Sequence, residues 1–97
     1  MNTKANLDLT PEQIIAAKRT ALLEMLRGEV SPVITFTKTD GTERRMWATT
    51  LPKYIPEAFQ PKGDSKVKEN PNTIRCFDLD KQEWRSFRVD SVTSVTV

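Results

Sequence analysis

Two arginine-aromatic groupings stand out in this 97-residue chain. The first is Arg44-Arg45-Met46-Trp47. On a strand, side chains alternate between faces, so Arg45 shares a face with Trp47, and Arg44 shares the other with Met46. An arginine beside an exposed tryptophan suits the bases and phosphates of a single-stranded nucleic acid. A tryptophan half-buried in a core is the commoner use of that residue. The second grouping is Trp84-Arg85-Ser86-Phe87-Arg88. Alternation sets Arg85 beside Phe87 and Val89, and Arg88 beside Trp84, so the two arginines fall on opposite faces. Asp78 and Asp90 are candidate carboxylate partners, so at Arg85 and Arg88 a structural ion pair competes with a ligand contact. Lys62, Lys66 and Lys68 make a basic stretch, diluted by Asp64 and Glu69. It either contacts phosphates without reading sequence or is simply a solvated loop.

Other chemistries are excluded by what the sequence lacks. It has no histidine, which removes the usual general base, the histidine triad and histidine metal ligands. One cysteine, Cys76, allows neither an internal disulfide nor a multi-cysteine metal site. Cys76 lies mid-strand beside Phe77 with no base to activate it, which reads as structural. Asp78, Asp80 and Glu83 are turn-forming carboxylates and lack the glycine and distal glutamate of a calcium loop. The three glycines are scattered, so no phosphate-cradling loop exists. No enzyme, cofactor or metal is expected. Fifteen basic against thirteen acidic residues give +2, too little by itself to demand a nucleic-acid partner.

The elements that must position these residues are legible in outline. Residues 1–9 read as a loose arm. Thr10, Pro11 and Gln13 form a helix start of the capping-box kind, and Gly28 is placed to end it. Between them Ile14, Ile15, Ala21, Leu22, Met25 and Leu26 make one broad apolar face, with Lys18 inside it. Ile14, Ile15, Leu22 and Leu26 are its anchors, whether the helix (10–28) caps a core or docks on a partner or a second copy. From residue 30 the period changes to that of strands. Val33–Thr37 and Glu43–Thr49 flank an Asp40-Gly41 hairpin signal. Residues 51–59, with two prolines, read as a loop with one helical turn, and 60–72 as a long mobile loop. Thr73–Leu79, Trp84–Val89 and Val92–Val97 complete five strands, which close most simply into a small barrel capped by the helix. The N-terminus has no apolar signal core, and no run reaches the ~18 apolar residues of a membrane span. A soluble, cytoplasmic protein without a membrane partner is expected, as a monomer or small homo-oligomer.

The run Ile74-Arg75-Cys76-Phe77-Asp78-Leu79-Asp80 through Trp84-Arg85-Ser86-Phe87-Arg88-Val89-Asp90 resembles the C-terminal half of WYL domains. Upstream, Phe36-Thr37-Lys38-Thr39-Asp40-Gly41-Thr42, Met46-Trp47-Ala48-Thr49 and Leu51-Pro52 to Ile55-Pro56 are similar in order to a small WYL-like family of tailed-phage proteins. The resemblance covers about residues 33–96. It departs from the WYL pattern where Ala48 follows Trp47 and where Ser91 replaces a basic residue. It implies an SH3/Sm-like β-barrel over 30–97, and a ligand-contacting or structural role for the matching arginine and aspartate. The expected function is a small non-enzymatic, phage-encoded regulatory protein that binds nucleic acid or a nucleotide. The alternative is a module that binds and modulates a host enzyme of transcription, replication or defence.

Overall fold

The computed structural model describes residues 9–60 and 70–97. Lys62, Lys66 and Lys68, and all but the end of the expected arm, lie outside them. The helix α1 spans Pro11–Leu26. Its start is the capping box: the Gln13 amide donates to Thr10 Oγ1 at 3.1 Å and the Thr10 amide to Gln13 Oε1 at 2.9 Å. These bonds satisfy amides that an open helix end leaves unpaired. At the other end the Gly28 amide donates to Met25 O at 3.1 Å. A Cβ on Gly28 would meet that carbonyl at 3.2 Å, so the close approach favours glycine there.

Five strands follow: β1 (Val33–Thr37), β2 (Glu43–Thr49), β3 (Thr73–Asp78), β4 (Glu83–Arg88) and β5 (Val92–Thr96). All pairings are antiparallel, in the order β4-β3-β2-β1-β5. The last strand thus returns to the free side of the first, with a register shift at Thr35/Phe36 that adds local bend and twist. Gly41, at φ 89°, supplies the left-handed residue of the β1–β2 turn, and Asp40 Oδ1 accepts from the Thr42 amide at 3.0 Å. Two short 3₁₀ turns, Pro52–Tyr54 and Glu57–Phe59, stand where one helical turn was expected, and a third covers Val89–Ser91.

The main core gathers Ile34 and Phe36 from β1, Met46 and Ala48 from β2, Ile74 and Cys76 from β3, Phe87 and Val89, under Leu22 and Leu26 of α1. Full burial of a leucine such as Leu26 contributes about 2 kcal/mol. The helix is also tied down by polar bonds: the Thr50 amide donates to Leu26 O at 3.0 Å, and Arg19 Nε to Thr73 O at 3.1 Å. Its packed face is therefore Ile15, Leu22, Leu23 and Leu26. Ile14 is turned away and 41 % exposed, and Met25 is also exposed. This corrects the expected face. Leu22 and Leu26 belong to the core, so they are not surface anchors for a partner.

Alternation breaks on β3, where Cys76, Phe77 and Asp78 are all buried. Toward its C-terminal end both faces of β3 are covered, while Arg75 on the outer face stays exposed. Phe77 leaves the main core and meets Phe59 and Trp84, with ring centroids 5.6 Å away in each case. Trp84 Nε1 donates to Phe59 O at 2.7 Å, fixing the 3₁₀ segment over the outer face of β3 and β4. Among the described residues no helix is long and apolar enough to cross a membrane.

Candidate functional site

One groove collects three of the four basic candidates that lie among the described residues, Arg44, Arg85 and Arg88. It has a volume of about 260 Å³, and its cationic lining is Lys38, Arg44, Arg85 and Arg88 over a floor of Phe36 and Phe87. The floor is rigid, since the two phenylalanine rings stack with centroids 5.5 Å apart. Phe36 sits opposite Arg44 in the β1–β2 register, so the arginine enters on the core face, just past the apolar layer. Arg85 enters beside Phe87 in the same way.

Asp78 holds these two arginines. Its side chain is 2 % exposed. Oδ2 accepts from Arg44 Nη2 at 3.1 Å and lies 3.4 Å from Arg85 Nε. The longer contact is an ion pair without hydrogen-bond alignment, and Arg85 Nε, like Arg44 Nε, has no hydrogen-bond partner. Oδ1 accepts from the Asp80 and Lys81 amides, both at 3.0 Å, and so shapes the β3–β4 turn. In that turn Gln82 adopts a left-handed backbone, φ 56°. Arg85 also pairs with Glu83 through Nη2. Arg88 donates to both oxygens of Asp90, at 3.1 and 3.2 Å. These bonds hold the exposed Asp90 carboxyl below its ordinary range and raise Arg88.

The structure places the described site candidates in two locations. Arg44, Arg85 and Arg88 line one groove. Arg85 and Arg88 were expected on opposite faces, and strand parity does separate them: Phe87 and Val89 are buried while Ser86 and Arg88 are exposed. They share the groove because β4 is an edge strand, and a long side chain on its outer face reaches the rim. Arg45 and Trp47 lie on the other face of β2, away from that groove. Trp47 is 45 % exposed rather than a core residue, and its Nε1 donates to Ser31 O at 3.2 Å. With Val30, Tyr54 and Leu79 it lines a second, more apolar groove of about 440 Å³. Tyr54 OH donates to Glu29 O at 2.8 Å, so the polar tips of both aromatics are engaged and their faces are held in place. Lys62, Lys66 and Lys68 lie outside the described residues.

Sequence reasoning named Asp78 and Asp90 as partners for Arg85 or Arg88, as the structure has them, but missed Lys38 and the pairing of Asp78 with Arg44. Lys38 was legible in principle: it has the parity of the core residue Phe36, one step beyond the strand end. The Arg44–Asp78 pair, 34 residues apart, has no local signal. Cys76 is wholly buried, and desolvation, with the Asp78 charge as a smaller cause, pushes its thiol up to about 12. No cluster of three or more potential metal ligands occurs among the described residues.

Comparison with known proteins agrees with the fold. The sequence model of the WYL_2 family, described as an Sm-like SH3 beta-barrel fold, matches residues 19–92. The match begins inside α1, so it takes in the part of the helix that packs on the core. An uncharacterized 11.5 kDa protein of Enterobacteria phage T4, from the Gp31-cd intergenic region, is 34 % identical over 90 residues, covering 92 % of this chain and 86 % of the relative. No solved structure matches. With a family match over most of its length and the five-stranded sheet and core to go with it, the chain belongs to the WYL_2 family, a phage-type WYL-like family of Sm-like SH3 barrels.

Proposed function

We propose that this is a small non-enzymatic binding protein that takes a nucleotide or single-stranded nucleic acid in the groove between the end of β1 and the edge strand β4. The observation that carries the reading is the convergence of Lys38, Arg44, Arg85 and Arg88 on one groove whose lining includes no carboxylate. Arginine offers forked donors that match phosphate oxygens, and lysine adds a mobile point charge. Burial of Asp78 holds Arg44 and Arg85 at the site before a ligand arrives, which lowers the ordering cost of binding.

The test is fluorescence anisotropy with single-stranded DNA, single-stranded RNA and duplex DNA at low and moderate salt. Binding that weakens with salt and is lost in Arg88→Ala supports the reading. Absence of binding at low salt, where attraction is strongest, rejects it.

A second reading, a module that docks on a host protein, is favoured by the groove around Trp47, Tyr54, Val30 and Leu79. Exposed aromatics with fixed orientation are the usual anchors of protein interfaces. In this case a Trp47→Ser variant loses a partner that Arg88→Ala retains.

A further inference from the structure

We infer that the basic groove takes a single phosphate-bearing unit, either a mononucleotide or the terminal phosphate of a strand, rather than a run of nucleic-acid backbone. The inference rests on the groove reading above and narrows its ligand. Two observations lead to it.

The first is the charge left over after internal pairing. Arg44 and Arg85 share Asp78, Arg85 also holds Glu83, and Arg88 holds Asp90. Three of the four cations thus already face a carboxylate. Lys38 forms no ion pair among the described residues, although its charge is felt by Asp40. A polymer-binding channel tracks successive phosphates with successive unmatched cations. Here roughly one positive charge is available, which one anionic group consumes.

The second is size. At about 260 Å³ the groove falls near the lower end of small-ligand pockets, roughly 300 Å³, so its walls embrace one small unit at a time. The floor of Phe36 and Phe87 offers little face for stacking, because both rings are buried against each other and the core. Exposed Trp47, the better stacking residue, is on the far side of β2. Recognition in the groove therefore falls to the phosphate. A terminal monoester carries more charge and one more free oxygen than a backbone diester, and Lys38 with the Nη atoms of Arg44 and Arg88 can meet it from different sides of the rim.

The test uses the full chain and short oligodeoxynucleotides that differ only in a 5′-phosphate, a 3′-phosphate or unmodified hydroxyl ends. Adenosine monophosphate, adenosine and inorganic phosphate serve as competitors. A terminal phosphate should tighten binding about tenfold, the worth of one charge-assisted hydrogen bond. Adenosine monophosphate should compete and adenosine should not. Competition by the mononucleotide together with a phosphate effect at only one end would identify that end as the polymeric source. Competition by the mononucleotide without any end effect would identify the free nucleotide as the source. Lys38→Gln, which breaks no ion pair, should abolish the phosphate effect while leaving the melting temperature unchanged. Oligonucleotides that bind equally with and without terminal phosphate, and are not displaced by adenosine monophosphate, overturn the inference but leave the broader reading standing. No binding by any phosphate ligand overturns both.

Discussion

Replacing Asp78 by alanine should cost about 3 kcal/mol of folding stability, and the figure follows from what each oxygen does. Oδ1 accepts from two turn amides, at 3.0 Å each, and each bond contributes about 1 kcal/mol net. Oδ2 meets Arg44 and Arg85, whose side chains are 22 % and 33 % exposed. Both arginine side chains are partly open to solvent, so the pairs together add only about 1 kcal/mol, far less than a fully buried triad. Asp78→Asn separates the two contributions. Its remaining carbonyl can keep the turn bonds, and the loss should be about 1 kcal/mol. The assay is urea unfolding followed by circular dichroism, with the slope m required to stay constant so that the change lies in stability alone. In thermal melts the alanine variant should fall by about 15 °C, given about 4–8 °C per kcal/mol for a domain of this size. An alanine variant within about 0.5 kcal/mol of the parent would refute the assignment of Asp78 as the group that ties the β3–β4 turn to Arg44 and Arg85. Equal losses in Asp78→Asn and Asp78→Ala would show that the charge, not the turn, dominates.

Three further outcomes are expected. Leu26→Ala should destabilise by about 3 kcal/mol, and Ile14→Ala by less than about 0.5 kcal/mol, in the same urea assay, because only Leu26 leaves a cavity. Cys76, with its thiol pushed up to about 12 and no surface exposure, should react with a disulfide reagent at pH 8 only as fast as the protein opens; rapid labelling in the native state would contradict its burial. Asp90 has its folded-state value depressed below 3.8 by Arg88, so its stabilising effect is present above that pH and lost as pH falls through the folded value. The difference in melting temperature between the parent and Asp90→Asn should therefore shrink as the pH falls below 3.8, and a difference that stays constant through acid titration would count against the pair.

Some features were fixed by neighbours in the chain. The Thr10–Gln13 capping box, the hairpin at Asp40-Gly41 and the alternation of Ile34 with Phe36 and of Met46 with Ala48 all depend on contacts within a few residues. Backbone sterics and short-range hydrogen bonds decide them, so types and spacing sufficed. The WYL-like run from Ile74 to Asp90 likewise carried the fold, and the structure and family match agree with it.

Where a face points is a different matter. The apolar positions of α1 span a wide arc, and only packing on β3 and the 89–91 turn selects Ile15, Leu22, Leu23 and Leu26 while leaving Ile14 in solvent. Trp47 has the composition of a core residue, but the outer face of β2 has no layer over it at that point, whereas the outer face of β3 is covered by the 3₁₀ segment. Strand parity separated Arg85 from Arg88, and the position of β4 at the sheet edge brought them back to one groove. The sequence by itself determined the elements, the barrel class and the lack of histidine and cysteine chemistry. Only the tertiary structure decided that Asp78 would hold Arg44 and Arg85 beside Lys38 and Arg88, because that meeting depends on closing the sheet across 34 residues of chain, a distance over which local periodicity carries no information.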